Sequence, residues 1–238
     1  NELLNVKGNC IMPSNVKIFH QETLDTINNL FEEGVKRAAV IMRHSARNFT
    51  DDPAEEPFMG LTETGKDFSL KLGENLALSP SPRFFSSHFG RCIETSAIID
   101  KGYYKTHRRF NGHNQINLDL SPFYINDIDR AITLVRKIEA ERFIRQWFNG
   151  EFSEEIIMDP KNTADRLAGF LAARVEELDD NEIALCVSHD WNLFPLKEFK
   201  LGLKHEDVGV VGFLESVVVF EHQGNYYITG HQTRPQRL

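Results

Sequence analysis

Two short apolar runs, Ala38-Ala39-Val40-Ile41-Met42 and Ile183-Ala184-Leu185-Cys186-Val187, constrain this chain more than any other feature. Neither alternates with polar residues, as a strand with one wet face does, so both are expected to be strands covered on two faces. Such strands belong to mostly parallel sheets with helices above and below. Each run ends in reactive polar residues, Arg43-His44 after the first and Ser188-His189-Asp190 after the second. Open α/β sheets hold ligands beyond the carboxyl ends of their strands. A cation and two imidazoles at two such ends therefore predict an anion site on that rim.

The remaining sequence alternates helix and strand signals. Leu24, Ile27, Leu30 and Phe31 recur at helical spacing before Gly34, and Thr62 precedes a helical set of Phe68, Leu72 and Leu76. After the break at Ser79 to Pro82 comes a short strand, Arg83 to Ser86, then a helix from about Arg91 expected to turn Ile93, Ala97 and Ile98 inward. Alternation of Ile116, Leu118 and Leu120 predicts a strand over 116–120. One long amphipathic helix is predicted from Ile128 to Phe148, and another from Thr163 to Leu178 with Leu167, Phe170, Leu171, Val175 and Leu178 as its stripe. A helical segment follows His189, and Ser216–Glu221 and Asn225–Thr229 flank His222-Gln223-Gly224 as a hairpin. Residues 1–22 are expected to form a surface arm or a short edge element. Residues 48–60, with Asp51, Asp52, Glu55, Glu56, Pro53 and Pro57, are expected to form a loop, which is a candidate lid. The expected architecture is one domain over 1–238, an α/β three-layer α/β/α sandwich with a mostly parallel central sheet and an antiparallel edge hairpin.

At 238 residues and 41% hydrophobic content the chain is long enough for one sizeable core. Its net charge of -8 leaves no broad basic field, which excludes nucleic acid and anionic membrane surfaces as expected partners. The run Lys105-Thr106-His107-Arg108-Arg109 reads as a solvated face. No apolar stretch approaches the roughly 18 residues of a spanning helix. Cys186, inside an apolar strand, reads as a reduced buried thiol, Cys92 reads as a helix-packing residue, and a Cys10–Cys92 bridge is the oxidising alternative. With no charged and apolar leader at Asn1, a cytoplasmic location is expected, a removed leader being the alternative. His88 and His113 read as surface residues. His20, His107, His205, His222 and His231 lack ligand spacing, so no metal and no cofactor is expected. Oligomeric state is not legible.

A phosphoryl group in transfer spreads charge over its equatorial oxygens, and without a metal those oxygens need fixed cationic donors. Arginine suits this because its planar fork grips phosphate with two parallel bonds and stays charged. Arg43, Arg47 and Arg91 are the candidates. Arg91 follows Ser86-Ser87-His88-Phe89-Gly90, a turn between strand and helix, so it belongs on the same rim. A simpler role for Arg47 is an exposed ion pair with Asp51 or Glu55. For Asp190 it is capping the helix that follows, which is compatible with proton donation.

These residues, taken in order, resemble the histidine phosphatase superfamily, which includes phosphoglycerate mutases and histidine acid phosphatases. Arg43-His44-Ser45 is similar to its Arg-His-Gly signature and Leu61-Thr62-Glu63-Thr64-Gly65 to the Leu-Thr-x-x-Gly that follows. The stretch 86–97 resembles the segment bearing the second arginine, and Val187-Ser188-His189-Asp190 the segment bearing the second histidine. The resemblance spans residues 38–190. It implies a phosphoglycerate mutase-like fold, with His44 phosphorylated in transit and Arg43, Arg91 and His189 holding the phosphoryl oxygens. Arg47 matches an additional arginine of the acid phosphatase branch, and the His189-Asp190 pair implies Asp190 as proton donor. Ser45 departs from the usual glycine. The middle segment, where the mutase-like branch carries its glutamate, offers only Asp119 or Asp127 without a motif, so Asp190 is preferred.

The expected function is a metal-independent phosphomonoester hydrolase acting on a small phosphorylated substrate through a phosphohistidine. The alternatives are a phosphomutase or bisphosphatase, and a phosphate-recognising scaffold without turnover. If the acidic loop overhangs the site, it disfavours polyanions such as multiply phosphorylated inositols.

Overall fold

The first apolar run forms β1 (Arg37–Arg43) and the second forms β4 (Glu182–Ser188), parallel and in register from Arg37 opposite Glu182 to Arg43 opposite Ser188. The structure is a computed structural model that describes residues 17–50, 55, 58–138 and 140–238. β2 (Ser81–Ser86) lies on the other side of β4, and β3 (Gln115–Ile116) lies beyond it; both run parallel to β4. β5 (Ser216–His222) pairs antiparallel with β1 and leads into β6 (Asn225–Gly230) and β7 (Gln236–Arg237). The sheet order is β3-β2-β4-β1-β5-β6-β7. This is the mostly parallel sheet with an antiparallel edge that the sequence predicts.

Side chains of a strand alternate between faces, and here both faces are dry. Ala38, Val40 and Met42, with Ile183, Leu185 and Val187, pack under α1 (His20–Glu32), α2 (Glu63–Asn75) and α3 (Gly90–His107). Ala39, Ile41, Ala184 and Cys186 pack on the opposite face under α5 (Ala140–Phe148), α6 (Pro160–Glu176) and α7 (Asp190–Leu201). The uninterrupted apolar runs are thus explained by two cores, one on each side of the sheet. Cys92 and Cys186 are free buried thiols, each pushed up to about 12 by burial. Cys10 lies outside the described residues.

Local signals set the element ends. Thr62 caps α2, its Oγ1 accepting from Gly65 N at 3.0 Å. Gly65 is required by packing, because a Cβ there would lie 2.0 Å from the Ala46 carbonyl oxygen. Asp159 caps α6 ahead of Pro160 at its first position. Gln223 and Gly224 both have positive φ, 53° and 76°, the geometry of a tight hairpin turn.

Several expectations need correction. In the first segment Ile18 bridges Phe213, as a short edge element would, whereas α1 already begins at His20; residues 1–16 lie outside the described residues. β2 starts at Ser81 and α6 at Pro160, both earlier than predicted. The predicted strand 116–120 is two residues of β3 followed by a 3-10 turn, Leu118–Leu120, which Asn117 caps by accepting from Asp119 N. Ile116 and Leu118 are exposed there; only Leu120 is buried. The predicted long helix is α4 (Ile128–Lys137) and α5, separated at an extended Ile138, which lets both apolar faces reach the same core. On α3 the inward face is Cys92, Thr95, Ser96, Ile99 and Tyr103, and Ala97 is exposed. The small residues lie inward because α2 and α3 approach closely; a Cβ on Gly73 would lie 2.0 Å from the Ile99 carbonyl oxygen.

No helix among the described residues is long and apolar enough to cross a membrane. The run from Lys105 faces α2, where Lys105 pairs with Glu74 and His107 meets the Leu76 carbonyl.

Candidate active site

Three parallel strands end at one level. His44 N donates to Ser188 O at 2.9 Å and Ser87 N to Val187 O at 2.9 Å, so the residues after β1, β2 and β4 share a rim. The rings of His44 and His189 lie 5.8 Å apart between centroids, and both are buried. Arg91, in the first turn of α3, reaches both: its Nε lies 3.1 Å from His44 Nε2 and its Nη2 lies 3.3 Å from His189 Nδ1. Two imidazoles and a guanidinium from three chain segments therefore meet as the sequence predicts.

The partners fix the tautomers. His44 Nδ1 lies 2.8 Å from the Ser45 carbonyl, which can only accept, so Nδ1 carries the proton and Nε2 the lone pair. Arginine can only donate, so His189 Nδ1 accepts from Arg91 and its proton sits on Nε2, 2.9 Å from Ser87 Oγ. Both imidazoles are held well below the usual histidine range. For His44 the causes are burial, then Arg43, Arg91 and His189; for His189, burial, then Arg91, His88, Arg43 and Arg47. The site thus presents neutral rings surrounded by positive charge.

Arg43 is buried and fixed on several sides. Its Nη1 donates to the Val211 carbonyl, its guanidinium lies 4.3 Å over the Phe213 ring, and its Nη2 is 3.1 Å from Asp190 Oδ2. Its Nε is buried with no hydrogen-bond partner. Behind it, Glu215 accepts from Gly212 N and pairs with buried Lys197, while its own carbonyl accepts from Arg43 N. Asp190 opens α7 and its Oδ1 accepts from Trp191 N at 3.0 Å, so it serves the helix end and Arg43 together.

Arg47 is half-buried at the edge, donating to the Asn48 carbonyl and lying 4.3 Å over Phe49. Its expected partner Asp51 lies outside the described residues, as do Asp52, Pro53, Glu56 and Pro57 of the candidate lid; Glu55 accepts from Thr50. Ser45 is not among the residues with positive φ. Its hydroxyl donates to the Gly65 carbonyl at 2.8 Å and its amide to Thr95 Oγ1 at 3.1 Å, so the serine is absorbed into packing. Asp119 pairs with Arg166, and Asp127 caps α4.

Sequence reasoning missed a hydrogen-bonded chain behind His189. Ser87 Oγ lies 3.0 Å from Ser121 Oγ, which lies 2.8 Å from Nδ1 of His88. His88 is exposed, as expected, yet it is joined to the buried pair. Its place in the turn between β2 and α3 was the available signal; Ser121 had none. Phe213 and Cys92, whose Sγ lies 3.7 Å from His189 Nε2, were likewise not flagged as neighbours of the site. Among the described residues no three His, Cys, Asp or Glu side chains converge as a metal site requires.

No family model matches the chain, and neither does any curated protein. Solved structures do. A mycobacterial glucosyl-3-phosphoglycerate phosphatase in complex with inorganic phosphate is 16% identical with a TM-score of 0.55, over 85% of this chain and 95% of that one. Bacillus stearothermophilus YhfR is 14% identical with a TM-score of 0.56, over 83% and 97%. A phosphoserine phosphatase variant from Entamoeba histolytica, in complex with phosphoserine, is 11% identical with a TM-score of 0.51, over 83% and 98%. The chain has a phosphoglycerate mutase-like fold, shared with these proteins.

Proposed function

We propose that this protein is a metal-independent phosphomonoester hydrolase that works through a phosphohistidine on His44. The observation that carries this is Arg91 reaching both His44 Nε2 and His189 Nδ1, which places a fixed cation between two neutral imidazoles. Phosphatases among the proteins of the same fold, one solved with inorganic phosphate, support it.

In this mechanism the phosphate dianion takes over the Arg91 donors and uncovers the lone pair on His44 Nε2. Arg43, Arg47, Arg91 and His189, whose Nε2 proton turns from Ser87 Oγ to the anion, hold the oxygens as charge spreads in transfer. Competition from phosphate for Arg43 releases the Asp190 carboxyl from its ion pair. Nε2 attacks phosphorus in line, the P–O bond to the alcohol breaks, and Asp190, which takes up a proton from solvent as the ester displaces its ion pair with Arg43, gives that proton to the departing oxygen. Water then attacks the phosphohistidine with Asp190 taking its proton, which returns His44 and releases inorganic phosphate. The buried Nε of Arg43 is a further donor in the same guanidinium.

The test is turnover of a chromogenic phosphate ester with and without chelator, combined with quenching in alkaline detergent after addition of an ester radiolabelled at phosphorus, since a phosphohistidine survives base and is lost in acid. His44→Ala is expected to abolish turnover and labelling while the fold persists, and chelator is expected to change nothing. Retained turnover in His44→Ala rejects the proposal. Phosphate binding without turnover in the wild-type chain would instead support a recognition module.

A further inference from the structure

Next to this site lies a second feature that phosphate chemistry leaves unused. A cavity of about 480 Å³ is walled by Ala131, Ile132 and Val135 of α4, Phe143 of α5 and Trp191 of α7, with Arg47 at its edge. Its volume falls in the range of small-molecule pockets, and its walls are nearly all apolar. Two connections tie it to the reacting groups. Trp191 directly follows Asp190, and Arg47, which lines the cavity, is near enough to His189 for its charge to act on that ring.

The walls select a chemistry. Trp191 belongs to an aromatic group, its ring 5.4 Å from Phe143 and stacked at 6.4 Å on Trp147, which fixes a flat indole beside the cavity. A flat apolar body gains dispersion and loses water there, whereas most sugar hydroxyls leave their water partners and meet apolar side chains, with donors only in the guanidiniums of Arg47 and Arg136. The break between α4 and α5 creates the cavity, because a continuous helix would not fold α4 back beside Phe143.

We infer that this cavity receives the alcohol portion of the phosphomonoester, and that this portion is apolar and flat, an aryl or fused-ring group in preference to a polyhydroxylated sugar. The inference rests on the hydrolase reading of the neighbouring site. Arg43, Arg47 and Arg91 take the phosphate, Asp190 stands where the bridging oxygen departs, and the apolar body lies along Trp191.

The experiment compares kcat/KM of the whole chain for a naphthylmethyl phosphate and for a hexose phosphate esterified at a primary hydroxyl, two leaving groups of similar type. Preference for the naphthyl ester by about tenfold or more is expected, within the discrimination an apolar pocket supplies. Ala131→Phe, which fills the cavity, and Ile128→Glu, on its exposed rim, are expected to remove most of that preference; the second substitution leaves the buried core untouched. Equal kcat/KM for the two esters, or a preference unchanged in both variants, overturns the inference. Binding is read separately as quenching of tryptophan fluorescence by naphthylmethylphosphonate, which cannot be hydrolysed. If no ester turns over yet the phosphonate binds and both variants weaken it, the cavity assignment stands and the hydrolase reading falls; no quenching and no preference sinks the cavity.

Discussion

Arg91 donates through Nε to Nε2 of His44 at 3.1 Å, so the lone pair that would attack phosphorus is covered by the guanidinium that would hold the phosphate. Arg91 thereby adds to the burial and the Arg43 charge that keep this imidazole neutral, and in the proposed mechanism the anion takes its place against the ring.

Arg91→Ala is therefore expected to lower kcat/KM for a phosphate ester by about a hundred- to a thousandfold, the usual cost of losing one preorganised donor. It is also expected to raise the pKa of His44, since Arg91 is among the charges that lower it. Arg91→Lys keeps the charge and loses the fork that spans both rings, so it is expected to restore the titration but not the rate. Steady-state kinetics with NMR titration of the His44 ring checks both; a fully active lysine variant refutes the bridging role.

Stability should carry the same signature. In the folded chain His44 and His189 are held well below 6.5, chiefly by burial and then by neighbouring cations, whereas the unfolded chain titrates near 6.5. Above that value both states are neutral and pH has no leverage. Below it the unfolded chain takes up protons that the folded chain refuses, so stability falls as pH falls, by up to about 1.36 kcal/mol per pH unit for each ring. Urea unfolding at about pH 7 and about pH 5 is expected to show this loss, with a smaller difference in His44→Gln and in His189→Gln. Identical pH dependence in wild type and both variants contradicts neutral burial.

Asp190 lies 3.1 Å from Arg43 through Oδ2 and binds Trp191 N through Oδ1, so Asp190→Asn preserves shape while removing the acid. The loss of rate is expected to reach about a hundred- to ten-thousandfold for alkyl esters and to shrink for esters of acidic phenols, which leave without a proton. A Brønsted series of leaving groups is the measurement. A loss of equal size across the series removes Asp190 as donor.

What the sequence made legible follows from where burial is one-sided or complete. β1 and β4 are apolar at every interior position because both faces are covered, and the groups at their ends, Arg43, His44, His189 and Asp190, meet because parallel register brings the ends to one level. Arg91 was legible from its place after a strand-to-helix turn. The break at Ile138 was not, because Leu134 and Val135 before it and Phe143 and Ile144 after it continue a helical apolar pattern with no glycine or proline between. The inward face of α3 was misread because Thr95 and Ser96 pack where hydrophobicity alone favours Ile93 and Ile98. Ser121 reaches Ser87 and His88 only through tertiary packing, which leaves no mark in local sequence.

Two glycines offer a direct contrast between packing and propensity. A Cβ on Gly65 would lie 2.0 Å from the Ala46 carbonyl oxygen and 3.0 Å from Ala46 N, and both contacts are backbone, so neither can swing aside. The Gly65 carbonyl also accepts from Ser45 Oγ, which ties that contact to the residue after His44. Gly65→Ala is expected to destabilise by about 1–3 kcal/mol or more and to reduce turnover as the Ser45–Ala46 backbone shifts. Gly169, inside α6, has nothing within 4 Å of a built Cβ. Gly169→Ala is expected to stabilise by up to about 1 kcal/mol through helix propensity alone, with turnover unchanged. Urea midpoints and kcat/KM of the two variants measured side by side separate the effects: a neutral Gly65→Ala would mean that α2 does not press on the strand end that carries His44.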